Sequence, residues 1–370
     1  MIELNANEKQ WVDGIFEKLD KKLSLTAVKL RGRIPYSSKN GVYPDMGDKD
    51  VRWWTNGFYG GLMWLMYKAT GNEDYRKTAE NHEKILDGAL EKIEETNHDT
   101  GFMWGLTAKA NYLISGNRPS KVRALYAATI LAARVNVNGR FIRAWNGRAK
   151  TYSIIDCLMN LPMLYWASKE LNDDRFKYIA VMHADMAMRD HVRENGSVVH
   201  ICVHDDNEDK VVDTLHGQGY CKGSTWTRGA AWAIYGFMIS QMYTGDNKYL
   251  ETAKKVADYF IEEVKKENYK VLCDFDQPKE PLLYDNSAAG CAACGMIEIY
   301  KATGEKKYLD CAVKMLQAME EDMDFELTTE AIVQRCCQAY EFLGHIDMVY
   351  GDFFLAEAIL KLKNSDFFIW

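Results

Sequence analysis

Three stretches of the chain read alike: Tyr67–Ala79 (YKATGNEDYRKTA), Gln241–Ala253 (QMYTGDNKYLETA) and Tyr300–Ala312 (YKATGEKKYLDCA). Each carries Thr-Gly, then a Tyr, then an Ala four residues past the Tyr: Thr70/Tyr75/Ala79, Thr244/Tyr249/Ala253 and Thr303/Tyr308/Ala312. A degraded fourth copy reads LNDDRFKYIA, from Leu171 to Ala180. The pattern predicts a helical hairpin. Gly ends one helix in a left-handed cap. Charged residues open the next helix, and a Tyr and an Ala four apart share one face. Upstream, Phe58, Leu62, Leu65 and Met66 fall on one helical stripe, and AAWAIYGFMISQMY behaves similarly. Alternating strands are scarce, with SVVHICVH (197–204) the best candidate. The copies are unevenly spaced, so further hairpins without the signature are expected. Periodicity yields an array of hairpins and leaves open whether it is an open solenoid or a closed toroid.

The remaining bulk features bound the function. The chain has 370 residues, 47% hydrophobic and 27% charged, with only 6 prolines and no linker-like stretch. One domain spanning 1–370 is expected. A formal net charge of −7 gives no nucleic-acid footprint. No apolar run is long enough to span a membrane. The first residues, MIELNANEKQW, lack the pattern of a secretory signal. Nine scattered cysteines, including the CAAC run Cys291–Cys294, read as buried thiols of a reducing compartment. A cytoplasmic protein without metal or cofactor is expected, a monomer or weak homo-oligomer. HDDNEDK (204–210) lacks the Gly and Glu that a calcium loop needs and reads as a solvated turn.

Four segments concentrate aromatic, polar and glycine residues: VRWWTNGFYGG (51–61), ETNHDTGFMW (95–104), GRFIRAWNGRAKTYSIIDCLMN (139–160) and HGQGYCKGSTWTRGAAW (216–232). Taken singly, Asp99 is a turn cap and Asp156 a first-turn acid complementing a helix dipole. The tryptophans alone would be core residues, and Arg228 alone a structural ion pair. Taken together they match what a sugar site needs. Aromatic faces cover C–H patches, amides and charges meet hydroxyls, and an arginine fork matches a carboxylate. Two carboxyl groups then suffice for acid–base work on a glycoside, one with its pKa raised by burial or by its neighbour. His98 stands ready to orient Asp99, and Gly101 to let the chain turn toward Phe102.

The motifs WTNGFYGGLMWL, HDTGFM, IIDCLMNLP, GSTWTRGAAWAIYGF, DFDQPKEPLLYDNSA and YGDFFLAEAILKL, in this order, resemble those of the unsaturated glucuronyl hydrolases, glycoside hydrolase family 88. The resemblance runs from about residue 50 to the C-terminus. It implies an all-α fold, an (α/α)6 toroid of six helical hairpins. It also implies a substrate, an oligosaccharide left by a polysaccharide lyase, with a C4=C5 double bond in its non-reducing-end uronic acid. The family hydrates that enol ether, and the resulting hemiketal opens and frees the neighbouring sugar. By the matching motifs, Asp156 is implied as general acid/base and Asp99 as the second carboxylate. Trp54, His98, Trp145, His200, Gln218, Ser224, Trp226, Arg228 and Trp232 are implied as pocket residues, with Ser224 and Arg228 gripping the uronate. Asp285 and Asp352 match recurrent family acids, as readily structural as functional.

Two departures bear on the substrate. HGQGYCKGS places an extra residue between His216 and Gln218, so His216 is not carried over. The Ser-x-x-Ser-x-Lys cluster that holds a sulfate in some members is absent from YEFLGHIDMVYGD, so an unsulfated or differently decorated substrate is expected. The rival readings are an unsaturated rhamnogalacturonyl hydrolase, which relies on one principal Asp, a sugar epimerase, which needs pocket histidines, and a non-enzymatic helical-repeat binding protein.

Overall fold

The computed structural model describes residues 2–147 and 150–370; Arg148 and Ala149, within the 139–160 segment, lie outside it. Among the described residues, twelve long helical segments alternate between two rings. The outer helices are α1 (Ala6–Lys29), α3 (Glu73–Leu90), α5 (Arg118–Ala132), α7 (Asp174–Asp190), α9 (Asn247–Lys266) and α11 (Lys306–Ala318). The inner ones are α2 (Phe58–Thr70), α4 (100–115, with a π-turn at Gly105–Lys109), α6 (Pro162–Leu171), α8 (Thr227–Thr244), α10 (Asn286–Thr303) and α12 (Val349–Leu362).

Sequence dictates which helix goes where. Outer helices are one-sided: α3 buries Tyr75, Thr78, Ala79, His82 and Leu86 and leaves its other face wet. Inner helices are buried all round, so every residue of α12 and the whole Phe58–Met66 run of α2 lie inside. The stripe read from Phe58, Leu62, Leu65 and Met66 is thus part of a fully apolar cylinder. Each inner helix packs on the next, α2–α4–α6–α8–α10–α12, and α12 returns to α2. The array is closed, an (α/α)6 toroid, with α12 and the distant α1 forming the sixth hairpin.

On one face the two rings join by two-residue turns. Gly71, Gly245 and Gly304 take φ of 72°, 72° and 73°, the left-handed region where a side chain is strained. In each, the Thr hydroxyl donates to the carbonyl four residues back and accepts the amide two residues ahead. Asn172 (φ 51°) fills the glycine position in the fourth copy, with Phe176 and Ala180 buried as its anchors. A fifth turn at Ser115-Gly116 repeats the hydroxyl geometry. Two of the three repeated tyrosines share a job: the hydroxyls of Tyr75 and Tyr249 donate to Asp20 and Asp185 on the preceding outer helix, each at 2.7 Å, while the Tyr308 hydroxyl has no partner among the described residues.

On the opposite face, long connections lead from each outer helix to the next inner one: 30–57, 91–99, 133–161, 191–226, 267–285 and 319–348. They carry the short strands. β1 (Val135–Asn136) pairs with β2 (Phe141–Ile142). β3 (Tyr152–Ile154), β4 (Ile201–His204) and β5 (Val211–Leu215) form an antiparallel sheet in that order. The β3–β4 pairing ties two neighbouring connections together. Eight of the nine cysteines are buried thiols and Cys221 is exposed. Among the described residues, no helix is long and apolar enough to cross a membrane.

Candidate active site

The long connections converge on a cavity of about 520 Å³ at the N-terminal ends of the inner helices. The first supplies Tyr36, Asp50, Arg52, Trp53 and Trp54. Glu95, Asn97, His98 and Asp99 come from the second, and Trp145, Ile154 and Asp156 from the third. Gln218 and Trp226 come from the fourth, with Arg228 at the start of α8, and Gln338, Glu341 and Phe342 from the sixth.

Asp99 occupies the cap position of α4 but its side chain makes no capping bond, which leaves the carboxyl free. Beside it, the Nδ1 of His98 lies 2.8 Å from the carbonyl of Ala144 and must donate to it. Its Nε2 faces Asp99 Oδ1 at 3.2 Å. Burial pushes the Asp99 carboxyl up to about 6, the charge of Asp156 adds to the rise, and His98 and Arg134 oppose it.

Asp156 also sits beside a histidine, but its carboxyl shifts the other way. The β3–β4 register continues into an Ile155 amide bond to the His200 carbonyl, which brings Asp156 and His200 together. The Gln218 N–H points at His200 Nδ1 from 3.2 Å. The same Nδ1 lies 3.1 Å from the His216 carbonyl, and Nε2 faces Asp156 Oδ1 from 3.4 Å. Burial pushes the Asp156 carboxyl up, but His200, His98 and Arg228 outweigh it and hold it below the usual carboxylate range. Trp226 stacks on His200 with ring centroids 4.2 Å apart and fixes its plane.

Asn160 couples the two acids. Its Oδ1 accepts the Phe102 amide at 2.7 Å, three residues after Asp99, and it follows Asp156 by four. Gly101 permits this contact: a Cβ there would lie 2.6 Å from the Asn160 Cα. Gly101 is therefore needed for close approach, where the sequence suggested a turn.

Trp54, His98, Trp145, Gln218, Trp226 and Arg228 line the cavity with the two acids. His200 stands behind Asp156, outside the lining. Ser224 is elsewhere, in the exposed 221–224 turn, where its hydroxyl donates to Asp274 at 2.7 Å. Trp232 is also elsewhere: one turn deeper than Arg228, it is fully buried against Phe102 and Phe354 and shapes the barrel core. Arg228 spends much of its fork on the protein. Nη1 pairs with Asp285 and donates to the Cys337 carbonyl at 2.6 Å, and Nη2 donates to the Gln338 carbonyl at 2.9 Å. Its end-on fork is thus occupied. Nε has no partner among the described residues, so the Nε/Nη2 edge is what it can offer a ligand. Asp285 caps α10 and pairs with Arg228. Asp352 accepts two backbone amides and the Tyr43 hydroxyl, away from the cavity. Sequence reading did not name Tyr36, the Asp50/Arg52/Glu95 rim or the Gln338–Phe342 segment as site residues, although Arg52 and Glu95 stand in two of the dense segments and Tyr350 in the YGDFF motif.

The family model Glycosyl Hydrolase Family 88 matches residues 26–243. An unsaturated glucuronyl hydrolase of Bacillus sp. (strain GL1) is 34% identical over 331 residues, covering 84% of this chain and 86% of that protein. An unsaturated chondroitin disaccharide hydrolase of Streptococcus pyogenes serotype M1 is 28% identical, covering 94% and 92%. The crystal structure of the unsaturated glucuronyl hydrolase from Bacillus sp. GL1, described as responsible for glycosaminoglycan degradation, superposes with a TM-score of 0.87 at 30% identity, covering 94% of this chain and 96% of that one. The chain belongs to glycosyl hydrolase family 88.

Proposed function

We propose that this family 88 glycosidase removes the 4,5-unsaturated uronic acid from the non-reducing end of lyase-generated oligosaccharides by hydrating the C4=C5 enol ether. The observation that carries the reading is the pair of buried acids facing one cavity, each beside a histidine ring nitrogen.

Asp156 protonates C4. Positive charge develops at C5 and the ring oxygen, and a neighbouring carboxylate, Asp99, stabilises it. Water adds at C5 after Asp156 takes its proton. The hemiketal opens to a ketone, and the hemiacetal left at C1 releases the neighbouring sugar. In the unliganded protein Asp156 is the ionised acid and Asp99 keeps its proton up to about 6. A uronate entering the cavity brings a third negative charge, which raises the pKa of the acid it approaches. Substrate binding thus loads the proton onto Asp156, while above about pH 6 Asp99 is free to act as the anion. The six inner helices all point their positive ends at this face, which favours an anionic ligand.

Trp54 and Trp145 offer faces for the sugar, Trp226 stacks on His200 and carries the Arg228 guanidinium over its ring, and Gln218 and the open edge of Arg228 offer donors. His98 and His200 orient the acids. The chain is taken to work as a single catalytic domain, a monomer or weak homo-oligomer. The test is direct. Incubation with lyase-generated disaccharides should abolish the ultraviolet absorbance of the double bond, and Asp156→Asn should stop the loss. Persistence of the absorbance on chondroitin, hyaluronan, heparin, gellan and rhamnogalacturonan fragments alike would refute the assignment.

A further inference from the structure

Removing Ser224 from the cavity leaves the uronate with fewer donors than its carboxylate can accept. Two oxygens offer about four lone-pair sites, and Arg228 has only its Nε/Nη2 edge to give. One hydroxyl on the cavity wall is unused. Tyr36 lines the cavity from the connection between α1 and α2. Its ring meets Trp53 edge-on, centroids 5.2 Å apart and planes at 61°. Its carbonyl accepts the Val349 amide at 2.9 Å, which pins it beside the start of α12. Among the described residues, nothing hydrogen-bonds its hydroxyl. The neighbouring phenol of Tyr350 is already committed to Met348 Sδ.

We propose that the Tyr36 hydroxyl donates a hydrogen bond to the substrate's uronate carboxylate, alongside the open edge of Arg228, and so binds substrate. This assignment rests on the hydrolase reading above. Tyr36 and Arg228 are close enough for the guanidinium charge to act on the phenol. Burial nonetheless pushes the phenol up to about 12, so it stays a neutral donor across the working range. A neutral donor suits this wall. It completes the grip on an anion without adding a second cation, which would lower the pKa of the acid that must be protonated.

The test is Tyr36→Phe, which removes one oxygen from an otherwise retained ring. On a lyase-generated unsaturated disaccharide, KM should rise about tenfold with kcat within twofold, as for a bond to a charged group made equally in ground and transition states. On the uronate methyl ester of the same disaccharide the variant should differ from wild type by less than threefold. An unchanged melting temperature separates this from misfolding. If wild type is active and the variant matches it on the free acid, or loses kcat with KM unmoved, the assignment to Tyr36 is overturned while the hydrolase reading stands. If wild type itself leaves every such disaccharide intact, both fall.

Discussion

The two faces of the toroid are built to opposite specifications. On one, turns of two residues join inner to outer helices, each with a left-handed residue, four of the five with a back-bonded Thr or Ser hydroxyl, and four of the five with an Asn or Asp capping the next helix. Polar groups there are spent on the backbone. On the other, connections as long as 191–226 carry buried groups aimed at one another or at the cavity. Asp156 Oδ1, His200 Nε2 and Arg228 Nε make no hydrogen bond within the described residues. The first face is arranged for stability and the second retains unsatisfied chemistry, as strained functional sites do. Substitutions should therefore divide by face.

The largest effect belongs to Asp156→Asn, for which we expect a loss of ~10³-fold in kcat, within the range for a general acid, and little change in melting temperature. Unfolding of this variant instead would place Asp156 on the structural side of the division. Gly101→Ala comes next. Its new methyl meets the Asn160 backbone, so we expect a loss of about 2–3 kcal/mol on denaturant unfolding, as for overpacking, and impaired turnover as the two acids separate.

Asp99→Asn should do what no turn-face substitution does, namely lower activity and raise stability. The folded carboxyl is harder to ionise than the unfolded one, about 6 against 3.8. The unfolded chain therefore gives up this proton first. The group's favourable contribution is complete below the unfolded pKa and is lost as pH rises through about 6. The variant should be more stable than wild type by on the order of 2 kcal/mol at pH 8, and the gap should close below pH 4. Thermal unfolding across pH reads this directly, and a gap that widens toward acid would reverse the sign. The smallest effect is expected at Gly245→Ala, about 1 kcal/mol from a side chain at positive φ, with kcat and KM unchanged.

The turn face was the more legible in sequence because its information is local. Thr70, Gly71 and Tyr75 act on one another within a few residues, so the repeat is visible along the chain. Asn172 could be seen in the glycine role because its spacing to Phe176 and Ala180 was kept. The Ser115-Gly116 turn escaped because Ser120 stands where the others have Tyr. On the cavity face the determinants are distant. β3, three residues long, is too short to show alternation alone, and it and β5 are held by pairing with β4, which was the one strand read. Ser224 and Trp232 were drawn into the site by adjacency to Trp226 and Arg228. A turn carries Ser224 outward, and one further helical turn sinks Trp232 into the core. Tyr36 was overlooked for the converse reason, since its segment carries no motif and reaches the cavity only through the ring's closure.

That closure has a kinetic meaning. Five of the six hairpins can form from adjacent sequence, whereas α1, which packs on the nearby α3, completes its burial only against α12, more than 300 residues downstream. Loop-closure entropy grows only slowly with length, so the equilibrium penalty is modest, whereas folding rate falls as such non-local contacts accumulate. The ring is sealed only where α12 meets α1 and α2, and the Tyr36 wall of the cavity hangs on that contact through the Val349 amide.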